Sequence, residues 1–234
     1  MILNRVLRLD HGANLRQISP ILPDILTILS VLVSLIGYNC IKFLNIETAL
    51  RIVVITATLD AFDGKLARLF KHQDQKEFGK LMDSTADFIN FGLFPASIIW
   101  VKLGLVWLSL TYIAAVSYRL IRFYKSSTPD SALTYIGVPS PMGAIIAMSG
   151  LILPTQYSIY VVILSILLMI MNIPTIVLHR LTPRDTQLFY ITVSALIAIA
   201  LASSWGLLII SLLYMSTIPF TNAICSRLIS RIIR

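Results

Sequence analysis

Apolar residues fall along this chain in blocks of about 20, separated by short polar clusters rather than alternating with them. At a rise of 1.5 Å per residue, such a block matches the roughly 30 Å hydrocarbon core of a bilayer. Eight blocks are predicted as helical spans: residues 23–41, 47–69, 79–101, 103–123, 137–153, 157–178, 187–202 and 205–220. Residues 131–178 and 186–226 hold no Asp, Glu, Lys or Arg, and each stretch has room for two spans. Pro154, Gln156, Ser203 and Ser204 supply the breaks within them. The expected fold is an all-α polytopic membrane protein, one integral domain over 1–234 with an N-terminal arm over 1–20.

Composition removes the soluble alternative. The chain is 57% hydrophobic and 13% charged, against roughly 25% charged in soluble domains. A soluble core could not hide that much apolar surface. The net charge of +8 invites a nucleic-acid reading, but no nucleic-acid motif accompanies it, so no such partner is expected. Placing the N-terminus in the cytosol puts 16 of the 19 Lys and Arg residues on that side. Lys42, Arg51 and Lys102 remain opposite, a bias that also predicts a cytosolic C-terminus and an even number of spans. Arg5, Arg8 and Arg16 precede the first apolar block by too much for a usual signal peptide, so the start reads as a cytosolic arm. Cys40 and Cys225, with His11, His72 and His179, lack metal-ligand spacing and read as packing or surface residues.

The chemistry is concentrated in few groups. Of eleven acidic residues, four (Asp60, Asp63, Asp83 and Asp87) lie in or beside the second and third blocks. An Asp at mid-helix costs about 2.5–3.5 kcal/mol to insert, so four bare ones would need compensation. Asp60, Asp63, Gly64, Ala67 and Arg68 fall at i, i+3, i+4, i+7 and i+8, one helix face. Gly79, Asp83 and Asp87 fall at i, i+4 and i+8, again one face. Two antiparallel helices carrying these faces would bring four carboxylates together near the cytosolic surface. Like charges that close repel, so a cation is expected among them. All the ligands are hard oxygens, which selects Mg²⁺ or Mn²⁺, with Ca²⁺ as a third candidate, over zinc. Four carboxylates suit two metals clamping a displacement at phosphorus. Gly64, Ala67 and Gly79 clear space beside the carboxylates, and Arg68 can meet a phosphate bidentately. A solvated loop would not align its aspartates on faces, nor lead from Asp87 into Phe91, Phe94 and Trp100.

The segment LDAFDGKLARLFKHQDQKEFGKLMDSTADF resembles the signature of CDP-alcohol phosphatidyltransferases, D-x2-D-G-x2-A-R, a spacer, then G-x3-D-x3-D. Every fixed position is present, and the ten-residue spacer exceeds the usual eight by two. The resemblance covers roughly residues 20–150. It implies a membrane-embedded, usually homodimeric enzyme with a six-helix core, here 21–178, which leaves 187–222 as two added spans. It further implies that an alcohol displaces CMP from a CDP-lipid, directly or through a covalent phosphatidyl-enzyme. By carry-over, Asp60, Asp63, Asp83 and Asp87 hold two divalent cations and Asp87 serves as general base. Asp60, Gly64, Ala67, Arg68 and Gly79 would line the CDP-lipid pocket.

MDSTADFINFGLFPA, YRLIRFYKS, YIGVPSP and LPDILTILSVLVSLIG look like segments of serine-using members, although Asp24 stands where Asn is common. The expected substrates are therefore CDP-diacylglycerol and L-serine. Glycerol 3-phosphate, an inositol phosphate or an archaeal lipid donor remain as alternatives, and a divalent-cation transporter as a remote one. Transport fits less well because the last four blocks carry no acid. Arg119 and Arg122, with Lys125 behind them, are candidates for the serine carboxylate, though positive-inside anchoring explains them equally. Gly137, Pro139, Ser140 and Pro141 read as helix-start punctuation or as a turn shaping the acceptor pocket.

Overall fold

The computed structural model describes residues 22–43, 46–70, 76–125, 134–176, 203 and 205–218. The expected arm over 1–20 and the seventh span over 187–202 lie outside the described residues. The helices are α1 Leu22–Lys42, α2 Ile46–Phe70, α3 Lys76–Asp87, α4 Phe94–Leu103, α5 Val106–Lys125, α6 Ser140–Gly150, α7 Thr155–Ile170 and α8 Trp205–Ile218. A π-helical segment, Phe88–Leu93, joins α3 to α4 without a break. Among the described residues, Pro23–Lys42 and Leu81–Leu103 have both the length and the apolarity to cross a bilayer alone. The helices of the sixth and eighth expected spans, Thr155–Ile170 and Trp205–Ile218, are apolar but shorter.

One expectation needs correction: the sixth span ends at Ile170, well before residue 178. The fold is all-α apart from one short ribbon. Thr134–Ile136 and Pro174–Ile176 pair as a short antiparallel ribbon, β1 and β2, with Tyr135 opposite Thr175. Pro174 explains the early stop. It has no N–H for the carbonyl of Ile170 four residues back, and its ring would strike that turn. Met171 turns extended (φ −61°, ψ 147°), which ends the helical run. Arg122 on α5 supplies the missing donor: its Nη1 donates to Ile170 O and Asn172 Oδ1, each at 3.0 Å, and its Nη2 to Met169 O at 3.1 Å. Gly137 (φ +80°) runs beneath this clasp, where a Cβ would collide with the Arg122 guanidinium. Only glycine satisfies both the left-handed turn and that close approach.

The π-helical segment has a parallel cause. Pro95 cannot donate to the carbonyl of Phe91, so the regular ladder cannot continue there. The hydroxyl of Tyr112, again from α5, donates to Phe91 O at 2.9 Å. Helix-breaking prolines survive in apolar surroundings when a neighbouring helix satisfies the freed carbonyl, and α5 does so twice. Tyr112 is fully buried. Tyr112→Phe should therefore cost about 1–3 kcal/mol by stranding a buried carbonyl. The check is thermal unfolding in detergent, and an unchanged midpoint would contradict the assignment.

The core gathers around this joint. Phe91, Phe94, Ile98 and Ile99 pack with Leu108, Tyr112 and Val116 of α5 and with Val53, Met148 and Met169. The outer face of α1 leaves Ile25, Ile28, Leu29, Leu32, Leu35 and Ile36 exposed. In water that stripe would be a liability, whereas against lipid it costs nothing. The α8 helix docks through Leu207, and Ser211 meets Ser149 of α6 at 3.0 Å.

Candidate active site

Carboxylates carried by α2 and α3 meet between the two helices. One oxygen from each of Asp60, Asp63 and Asp83 lies within 4.8 Å of the other two. Asp87, one turn beyond Asp83, also faces Asp60. The four aspartates singled out by spacing thus come together. Gly64, Ala67 and Arg68 follow on the same helix, but their side chains lie outside the described residues. Gly79 sits on α3 one turn before Asp83.

Two of the carboxylates, Asp63 and Asp87, are held by residues of other helices. Asp63, nearly fully buried, accepts a hydrogen bond from Thr27 Oγ1 on α1 at 2.8 Å. Ser30 and Ser34, one and two turns along α1, meet Asn90 in the π-helical segment. Ser34 Oγ donates to Asn90 Oδ1 at 2.7 Å, and Asn90 Nδ2 donates to Ser30 Oγ at 2.8 Å. A single polar stripe of α1 therefore ties Asp63 of α2 to the segment that follows Asp87. Spacing alone exposes that stripe, since Thr27, Ser30 and Ser34 recur at i, i+3 and i+7 in an apolar helix. The reading from acidic residues passed over it.

Asp87 is held from the other side. Ser140 Oγ, at the start of α6, donates to Asp87 Oδ2 at 2.9 Å. The buried Arg119 donates to the same Ser140 oxygen, and its Nη1 stands 3.8 Å from Asp87 Oδ2. Asp87 Oδ1 is buried and accepts no hydrogen bond from the described residues. Of the three basic residues expected near an acceptor, Arg119 reaches this centre. Arg122 is engaged at the end of α7, and Lys125 lies exposed at the end of α5.

The donor set fits divalent cations. Three clustered carboxylates and a buried, unsatisfied oxygen of a fourth are hard ligands whose mutual repulsion a cation would relieve.

Comparison with known proteins gives this arrangement a context. The family description "CDP-alcohol phosphatidyltransferase" matches residues 20–218. The chain is 30% identical to a CDP-diacylglycerol–serine O-phosphatidyltransferase of Mycobacterium tuberculosis over 237 aligned residues, covering 90% of this chain and 79% of that protein. It is 29% identical to the protein of the same name from Mycobacterium leprae, covering 86% and 74%. An archaetidylserine synthase of Methanothermobacter thermautotrophicus is 33% identical over 43% of the chain and 38% of its own length. The match over most of the chain, together with the acidic cluster where its two signature helices meet, establishes that this protein belongs to the membrane-integral CDP-alcohol phosphatidyltransferase family.

Proposed function

We propose that the protein transfers the phosphatidyl group of CDP-diacylglycerol to the hydroxyl of L-serine, giving phosphatidylserine and CMP. The observation that carries this is the convergence of Asp60, Asp63 and Asp83 with Asp87 beside them, in a chain 30% identical over 90% of its length to a protein named for that reaction. Asp60, Asp63, Asp83 and Asp87 hold two divalent cations, Mg²⁺ or Mn²⁺, which when bound neutralise the pyrophosphate and favour displacement at phosphorus. Asp60, Gly64, Ala67, Arg68 and Gly79 line the CDP-lipid pocket, with small residues admitting the donor and Arg68 meeting phosphate. Asp87 takes the proton of the serine hydroxyl. The serine oxygen then bonds to the phosphorus bearing diacylglycerol, and the bond from that phosphorus to the bridging oxygen breaks, releasing CMP with that oxygen.

The reading places the enzyme in the cell membrane with both termini and the active site on the cytosolic face. Residues 21–178 form the catalytic core, 187–222 two further spans, and the whole works as a homodimer. What supports the orientation is the bias that puts 16 of the 19 Lys and Arg residues on that face. Purified protein given CDP-diacylglycerol should release CMP only when serine and Mg²⁺ or Mn²⁺ are both supplied, with labelled serine entering the lipid. Release driven by glycerol 3-phosphate or inositol phosphate, and not by serine, would replace the acceptor. No release with any alcohol would overturn the enzyme reading.

A further inference from the structure

The hydroxyl of Ser140 stands between a buried guanidinium and a site carboxylate, and the chemistry of the three groups leaves it one orientation. Arg119 can only donate, so the oxygen of Ser140 must accept from it. The single hydroxyl proton is thereby directed at Asp87 Oδ2, 2.9 Å away. At 3.8 Å the guanidinium does not itself hydrogen-bond to Asp87. With Oδ2 occupied by Ser140, Oδ1 is the oxygen left buried without a donor among the described residues. The backbone around Ser140 is equally constrained. Pro139 and Pro141 flank it, Gly137 makes its left-handed turn two residues before Pro139, and Ser140 is fully buried.

We infer that Ser140, with Arg119 behind it, is a positioning unit that sets which oxygen of Asp87 faces the reacting hydroxyl. The inference rests on the proposed role of Asp87 as the group that takes the acceptor's proton. It assigns Arg119 to orienting the base through Ser140, and so removes it from the candidates for the acceptor's carboxylate. A rotated carboxylate would still bind cations and substrates but would present the wrong oxygen, and a misplacement of about 1 Å can cost about 10²-fold in rate.

The test uses the full chain in mixed micelles with CDP-diacylglycerol, saturating Mn²⁺ and varied serine. Ser140→Ala should lower kcat by about 10–100-fold with KM for serine within about twofold, the pattern of an interaction made only in the transition state. Ser140→Thr, which restores the hydroxyl, should recover most of kcat. Arg119→Gln should lower kcat without raising KM, and the double variant should be no worse than Ser140→Ala, because both losses act through one hydroxyl. Wild-type kcat in Ser140→Ala would overturn the inference. So would an Arg119→Gln variant whose KM rises more than about tenfold at unchanged kcat, which would make Arg119 the carboxylate's anchor. If Ser140→Ala does not fold, the Ser140→Thr and Arg119→Gln pair carries the same decision. If wild-type enzyme prefers another alcohol, only the serine assignment falls, and the same comparison is made with that alcohol.

Discussion

Asp87→Asn should lower kcat by about 10²–10⁴-fold, the usual contribution of a positioned general base, while CDP-lipid affinity changes by no more than a few-fold. The substitution keeps the shape of the side chain, and Ser140 can still donate to the amide oxygen. What disappears is the ability to accept a proton at the second oxygen, which is buried. Because Asp87 also belongs to the carboxylate group, the assay belongs at saturating Mn²⁺, so that a weakened cation site is not mistaken for a missing base. CMP release at saturating serine measures the chemistry, and equilibrium binding of CDP-diacylglycerol measures the pocket. Wild-type-like turnover in purified Asp87→Asn protein would remove Asp87 as the base. Loss of lipid binding in step with turnover would show that its main service is to the cations.

The parts of the fold visible in sequence were those written in local periodicity. Asp60 and Asp63, like Asp83 and Asp87, share helix faces by spacing alone, and two adjacent spans must run antiparallel. The grouping therefore follows from residues a few positions apart, and the structure brings these four side chains together. The missed features depend on partners far along the chain. Pro95 and Pro174 announce trouble in a helix, but not whether it will be a π-helical segment or a stop. That depends on Tyr112 and Arg122, which lie on a different helix and satisfy the freed carbonyls. Arg122 therefore read as a candidate for an acceptor when its guanidinium is engaged with the end of α7. In sequence, Ser140 reads as part of a helix start or of a turn shaping the acceptor pocket. Its meaning comes from Arg119 and Asp87, 21 and 53 residues away. The Thr27, Ser30 and Ser34 stripe was legible as a pattern and was obscured by the apolar residues around it.

Chelation should reduce wild-type activity to background, with Mn²⁺ or Mg²⁺ restoring it, and Asp60→Asn should raise the half-saturating cation concentration by more than about 100-fold. Loss of an outer partner of a metal ligand commonly costs 10–100-fold, and Asp60 is placed as a ligand itself. It faces Asp63, Asp83 and Asp87 at once. The same geometry predicts an inversion in stability that activity measurements alone would miss. Without cations, wild-type protein holds several carboxylates in mutual repulsion, and neutralising Asp60 relieves part of it, so metal-free Asp60→Asn should unfold at the higher temperature. With cations, the wild type gains the free energy of binding, about 2.7 kcal/mol at a concentration one hundred times the dissociation constant, and the variant gains far less. The order of the two unfolding midpoints should therefore reverse on adding Mn²⁺. Midpoints that keep the same order with and without Mn²⁺, in protein whose turnover is indifferent to chelator, would mean that the clustered carboxylates hold no functional ion.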